Sequence, residues 1–563
     1  MKRWMETSWL CGKLSYLTFF FMNLYRGSIC EEVIEAIKRI WVHSHFGKMN
    51  SAYEEKEPLF LSSKCCVRVK KIIHFGLEKI GQILDWICKK VFKTKDFPCT
   101  MSNGQVRFRL TGIGICIVLS LALLFSNIEI MLLGVSVIVC IWIFACHYET
   151  ATYLLAIYAF IDYVLRKYVV NISSIWDELF FVAMICVWLY KGVRYRNEEN
   201  CKQAPLNMCL WVFIGIYTIL LLFSPNLSIS LEGFRAIIQY MLWYFIVLQL
   251  LKDKRSVRTI LLVFIGVVGV MALHGVYQFI VGVEMPEAWV ESSESVRTRV
   301  YSILSSPNIF GSLNVLAFPI CFSFAVIAKQ VREKLFFIML TLCMLASLAF
   351  TYSRGAWIGA VCAIGVYVLL KNRKLIVPTI IVGVLVLIFV PSIRNRFLFM
   401  FSMDYLSSSM KGGRLIRWLT ALDILKEHPL TGLGLGQFGG AVAMNNELTT
   451  IVKGQEISTY YMDNYYLKIA VEAGIIGLIV FVWLMYQVIA ISFKTIGVTR
   501  DVKMKEVEMG ILAGLSGVIC HNFVENVFEV PLMTTMFWML AAVMMQMWYM
   551  NYTEERKVSN VEN

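Results

Sequence analysis

The chain has 563 residues, 58% of them hydrophobic and only 16% charged, with a mean hydropathy of +0.66. A soluble domain carries about 25% charged residues, so these proportions exclude a water-soluble globule. The formal charge of +14 gathers early: residues 1–109 hold 19 Lys and Arg against 10 Asp and Glu, which reads as a cytoplasmic face resting on anionic lipid rather than as a nucleic-acid site.

Residues 1–109 carry no catalytic or nucleotide-binding motif and no obvious cleavable signal. Within them, segment 69–93 repeats Ile72, Ile73, Leu77, Ile80, Leu84, Ile87 and Val91 at helical spacing between lysines. That pattern suits a helix lying in the membrane interface or packing on a partner. Apolar stretches of roughly 18 residues, the length that crosses about 30 Å of hydrocarbon, then recur. In lipid they must be helices, because only a helix satisfies its own backbone there.

Spans are expected near 110–125, 128–146, 150–165, 174–190, 208–224, 234–251, 257–281, 309–328, 335–351, 355–370, 374–391, 467–490, 507–527 and 531–549. Those at 150–165 and 174–190 are the weakest, because Asp162, Asp177 and Glu178 intrude. The expected fold is all-α and polytopic, with about 12–14 transmembrane helices. It divides into a basic cytoplasmic or interfacial region (1–109), transmembrane helices (110–391), a large extracytoplasmic loop (392–466), C-terminal transmembrane helices (467–550) and a cytoplasmic tail (551–563). Loops 191–207, 252–258, 328–334, 371–374 and 494–505 carry 18 Lys and Arg. The short loops on the other side carry five, Arg166, Lys167, Arg297, Arg299 and Arg354. The positive-inside rule then puts both termini in the cytoplasm. The 16 cysteines show neither metal spacing nor a paired framework, so no metal, cofactor or structural disulfide is expected.

Arginines gather at the outer span ends: Arg235, Arg297, Arg299 and Arg354, with Arg414 and Arg417 in the large loop. An arginine at such depth usually faces a polar cavity or an anion, and its fork matches phosphate oxygens. The plainer reading of any one of them is an ion pair with Glu232, Glu291 or Glu294, or a side chain snorkelling to headgroups.

Four stretches resemble a known family. They are Thr351-Tyr352-Ser353-Arg354-Gly355-Ala356-Trp357-Ile358-Gly359; the run Arg297 to Asn308 followed by Phe310 and Pro319; Gly413-Arg414-Leu415-Ile416-Arg417-Trp418 followed by His428 to Phe438; and Asp463-Asn464-Tyr465-Tyr466-Leu467 followed by Glu472 to Gly477. Taken in chain order they resemble the O-antigen ligase and polymerase family, over roughly residues 205–550. The resemblance implies a GT-C-like helical enzyme of the bacterial inner membrane. It would transfer glycan from undecaprenyl diphosphate to an acceptor hydroxyl on the outer face, without a metal. It also admits partners in the polysaccharide export machinery. Arg354 and Arg299 would stabilise the leaving diphosphate, and Arg235, Arg297, Arg414, Arg417 and Asn464 would bind diphosphate or glycan. Ligases of the family carry His immediately before the Asn of the last motif, whereas this chain has Asp463. That carboxylate is either a general base or a helix cap, and the change favours a polymerase over a ligase. His428 is the only histidine in the large loop and a weaker base candidate, and Glu472 is expected to pair with a core arginine rather than react. A lipid-linked glycan transporter is the competing class, although transporters commonly show internal repeats and none is evident.

Overall fold

The computed structural model describes residues 147–168, 175–195, 201–284, 298–304, 306–389, 391–399, 402–410, 413–452 and 454–562, with scattered residues between 71 and 144 and at 173. Its elements in chain order are α1 (Ala151–Ala156), α2 (Tyr158–Tyr168), α3 (Trp176–Arg194), α4 (Pro205–Leu222), α5 (Leu227–Met241), α6 (Trp243–Leu250), α7 (Lys254–Val281), α8 (Pro307–Ile327), α9 (Val331–Phe350) and α10 (Arg354–Lys371). They continue with α11 (Ile376–Phe389), α12 (Pro391–Phe399), α13 (Met403–Met410), α14 (Arg414–Glu427), α15 (Ala441–Asn445), the hairpin β1 (Thr449–Val452) and β2 (Gln455–Ser458), α16 (Tyr465–Val498), α17 (Val502–His521) and α18 (Pro531–Glu562). Val368–Phe399 clusters separately from the remainder, and within it α11 and α12 pack on each other. The remainder carries the site described below.

Among the described residues, eight stretches are long and apolar enough to cross a membrane: 205–222, 227–250, 254–281, 307–327, 331–350, 354–371, 465–498 and 531–554. Each coincides with an expected span. The other expectations fare differently. Stretch 150–165 divides at Ile157 into α1 and α2, both short. Stretch 374–391 forms only the 14-residue α11 before Pro391 opens another helix, a position that suits proline. Stretch 507–527 is helical but closes at His521, so that 522–530 is a connection between helices. The expected spans 110–125 and most of 128–146 lie outside the described residues. So does segment 69–93, apart from six residues that include the exposed Phe75.

Helix α8 and the apolar part of α18 within 531–554 are almost wholly buried, whereas α9 turns Leu335, Phe336, Met339 and Leu342 outward. An apolar exposed face of this kind is what lipid solvates. The centre is held by close approach of α8 and α17. A Cβ on Gly514 would sit 2.4 Å from the Leu316 carbonyl oxygen, and one on Gly510 would sit 2.3 Å from Ser323 Oγ. Small residues four apart let two backbones meet where no hydrophobic effect drives helices together.

The large loop is itself structured. Ala421, Ile424, Phe438, Val452 and Met462 form a small core that is seated on Val471 of α16. The hairpin pairs antiparallel, Thr449 opposite Ser458. Helix α16 is broken at Gly474, whose φ is +66°. The break strands backbone groups that the loop then takes up. Leu433 N–H donates to Val471 O at 2.8 Å and Gly434 N–H to Glu472 O at 3.0 Å, while Ile475 N–H donates to Pro429 O at 2.9 Å. A Cβ at Gly474 would meet Leu430 O at 2.1 Å, so only glycine admits this docking. The loop is thus locked onto the membrane helix by backbone pairing, which fixes where α14 presents its arginines.

Candidate functional site

The site is assembled where α9 ends and α10 begins. Thr351 Oγ1 donates to Leu348 O at 2.7 Å and accepts from Ser353 N–H at 3.2 Å. Tyr352 is held at φ +51°, an uncommon conformation for a bulky residue. Ser353 Oγ accepts from Ala356 N–H at 3.4 Å, which leaves Arg354 as the first residue of α10. Gly355 must be small, because a Cβ there would lie 2.7 Å from the His521 ring.

The chain before α8 folds against this turn. Gln278 Oε1 accepts from Ser302 N–H at 2.8 Å and from Tyr301 N–H at 3.1 Å, pinning that segment to α7. Arg299, buried, donates from Nε to Thr351 O at 3.0 Å and from Nη2 to Asn308 Oδ1 at 2.9 Å. Asn308 Nδ2 passes the contact on to Glu525 Oε2 at 2.7 Å.

The large loop closes the network from the other side. Arg414 and Arg417 lie one turn apart on α14 and so share a face. Arg414 Nη2 donates to Glu525 Oε2 at 3.2 Å, and its Nε stands 3.9 Å from Asp463 Oδ2. Arg417 Nη1 donates to Asp463 Oδ2 at 2.8 Å. Glu525, in the connection after α17, is pushed up to about 7 by burial, an effect that Arg414 opposes and Asp463 reinforces. The side chains of Arg414 and Arg417 remain 31% and 34% exposed, so the network reaches solvent on the α14 side.

Arg299, Arg414, Arg417 and Asp463 are therefore brought together, with Arg354 at the adjoining helix start. Arg235 stands apart on α5, 64% exposed and paired with Glu178 at 3.2 Å. Its expected partner Glu232 instead accepts from Asn446 Nδ2 at 3.4 Å. Arg297 lies outside the described residues. The cap at the start of α16 is Asn464, whose side chain accepts from Leu467 N–H at 3.0 Å, while Asp463 beside it faces the arginines. Glu472 pairs with Lys468 at 2.9 Å rather than with an arginine, and Lys468 also reaches Glu529 at 3.1 Å. His428 is exposed at the end of α14.

The residues that sequence reading passed over are Glu525, Lys468, Glu529 and His521. His521 is fully buried, and among the described residues neither ring nitrogen has a hydrogen-bond partner. A signal was present, because His521, Glu525 and Glu529 crowd the end of an apolar stretch where ionisable groups are costly. Among the described residues, no group of three or more His, Cys, Asp or Glu is arranged to hold a metal ion.

Residues 339–482 match the family model described as O-antigen ligase. The resemblance to the O-antigen ligase and polymerase family holds. A protein described as an O-antigen polymerase of Salmonella muenchen is 25% identical over 334 residues, which cover 54% of this chain and 77% of that protein. The chain is thus a multi-pass membrane protein related to proteins of polysaccharide biosynthesis. The matched segment runs from α9 through the large loop into α16. It includes Arg354, Arg414, Arg417, Asp463 and Gly474, and it leaves out Arg299, Asn308 and Glu525. The network therefore joins the family segment to segments on either side of it.

Proposed function

We propose that the chain is a membrane glycosyltransferase that polymerises cell-surface polysaccharide repeat units carried on undecaprenyl diphosphate, at the outer face of the bacterial cytoplasmic membrane. The observation that supports this reading is the convergence of arginines on one partly buried network. Arg414 and Arg417 meet Asp463, Arg414 also meets Glu525, and Arg299 reaches Glu525 through Asn308, while Arg354 starts the adjoining helix. Guanidinium groups aimed at one spot suit a diphosphate, whose negative charge grows as it leaves.

In the proposed step, an acceptor hydroxyl oxygen bonds to the anomeric carbon of the donor glycan as the bond from that carbon to the diphosphate oxygen breaks. The hydroxyl proton passes to Asp463, and the electron pair leaves on the lipid diphosphate. At rest Asp463 accepts from Arg417 and Glu525 from Arg414. An incoming diphosphate draws those guanidiniums to itself and frees Asp463 as base, so that donor binding and base activation are linked. Arg299 and Arg354 stabilise the leaving charge, Asn464 holds Asp463 in place by capping α16, and Arg235 and Arg297 serve as outlying glycan contacts. No metal takes part. Both termini are cytoplasmic, and partners in the polysaccharide export machinery follow.

The polymerase reading is supported by Asp463 standing where ligases carry histidine and by the relative described as a polymerase. A ligase reading is favoured by the description of the matched family. Purified protein in lipid, given undecaprenyl-diphosphate repeat units with a chelator present, separates them. A ladder of lengthening glycan, absent in Arg354→Ala, is the expected result. Release of lipid diphosphate only when a separate acceptor is supplied means a ligase. Movement of donor across the bilayer without turnover overturns the enzyme reading.

A further inference from the structure

We propose that an anionic phospholipid seats its headgroup in a basic cavity at the end of the bundle opposite the arginine network. The cavity, of about 450 Å³, lies where α7, α9 and α17 begin and α8 ends, with α18 as its back wall. The same four helices meet the arginine network at their other ends: α7 through Gln278, α8 through Asn308, α9 through Thr351 and α17 through the connection holding Glu525. The 21 residues of α8, at about 1.5 Å each, span roughly 30 Å, which is the thickness of the hydrocarbon layer. The cavity therefore opens at the membrane boundary away from the proposed reaction.

Its chemistry is that of a headgroup site. Lys254, Arg258, Lys329 and Lys503 line it, against the carboxylates Glu333 and Asp501. Lys254 is matched by Asp501 at 3.9 Å and by Glu554 at 3.3 Å. Among the described residues, Arg258, Lys329 and Lys503 form no ion pair. Asp501 is committed further, since its Oδ1 caps α17 by accepting from Lys503 N–H at 3.0 Å. Helix α9 opens into the cavity at Gln330, whose side chain makes no cap hydrogen bond. The positive end of its dipole therefore adjoins the cavity. Three cations and an uncapped helix start thus converge on one space.

The other wall is apolar. Phe324, Ile327, Phe337, Met547 and Met550 line the cavity beside the charges. From its mouth the exposed Leu335, Phe336 and Met339 run along α9, a track for an acyl chain. A soluble phosphate has no use for that wall. A zwitterionic lipid offers the chains but brings its own cation to the basic residues. An anionic phospholipid satisfies both halves, and juxtamembrane lysine and arginine are the residues that select it.

The test titrates the purified full-length protein with phosphatidylglycerol or phosphatidylethanolamine of matched chains and counts bound lipid by native mass spectrometry. One phosphatidylglycerol should be retained at concentrations at least about tenfold lower than phosphatidylethanolamine. Arg258→Gln/Lys329→Gln/Lys503→Gln should abolish that preference. The charge-matched Lys371→Gln/Arg373→Gln/Lys374→Gln should keep it, and inorganic phosphate should not displace the lipid. Equal retention of both lipids by the unaltered protein overturns the proposal without reference to any variant. So does an unchanged preference in the first triple variant, or its equal loss in the second. Displacement by inorganic phosphate makes the cavity a soluble-anion site and overturns it too.

Discussion

Two charged clusters lie side by side at the start of α16, and they are built differently. Lys468 bridges Glu472 and Glu529, with side-chain exposures of 4%, 0% and 9%. Five residues earlier Asp463 meets Arg414 and Arg417, which are about a third exposed. The first cluster is sealed and carries more carboxylate than cation. It ties α16 to the α17–α18 connection and, through Glu529 Oε1 accepting from Ala441 N–H at 2.7 Å, to the large loop. The second joins Arg414 and Arg417 to Asp463 and reaches solvent. Burial away from solvent marks a fastening, while exposed cations leave capacity for a ligand.

Removing the bridging cation should give the largest effect. Lys468→Met leaves two buried carboxylates facing each other, a loss of about 3–5 kcal/mol. In detergent the variant should melt far earlier than the unaltered protein or fail to accumulate. A stable, folded Lys468→Met protein that is merely inactive would move this cluster into the reaction and undo the contrast.

The opposite signature is expected of Arg414→Ala. Its side chain is 31% exposed, so the fold should lose only about 1 kcal/mol, while polymerisation should fall by about 10²- to 10³-fold, as when a charge-stabilising donor is removed. The assay is chain-length distribution on a gel beside a melting curve of the same preparation. Loss of activity in step with loss of folded protein would make Arg414 a fastening like Lys468.

The contrast was only half legible in the sequence. Arg299, Arg414, Arg417 and Asp463 stood out because arginine at membrane depth is costly and because their motifs resemble a family. Their partner Glu525 did not, since it lies inside a stretch read as a span to residue 527, whereas the helix closes at His521. Glu472 was read as an arginine's partner, but Lys468, one turn earlier on the same helix, takes it at 2.9 Å. The break at Gly474 was hidden as well, because a continuous apolar run does not reveal that a distant loop supplies the missing backbone partners. The bundle was read more fully, since apolar length decides it. Its short helices, α1, α2 and α11, escaped because their ends depend on local turns and on Pro391.

The smallest predicted effect concerns pH, and it tests how far Glu525 belongs to the open cluster. Burial pushes its carboxyl from an ordinary 4.5 up to about 7. Between those values the folded state holds a proton that the unfolded chain has released. The contribution of Glu525 to stability is therefore fully present below about pH 4.5, declines as pH rises and is gone above about 7, a swing of at most about 3 kcal/mol. Glu525→Gln keeps an oxygen for Asn308 Nδ2, which now donates to it at 2.7 Å, but cannot ionise. Melting curves from pH 4.5 to 8 should show a decline in the unaltered protein that is shallower in the variant. Parallel curves would mean that Arg414 already holds Glu525 as an anion throughout. The exposed cluster would then be a set of closed ion pairs at rest, and a diphosphate would have to break them to enter.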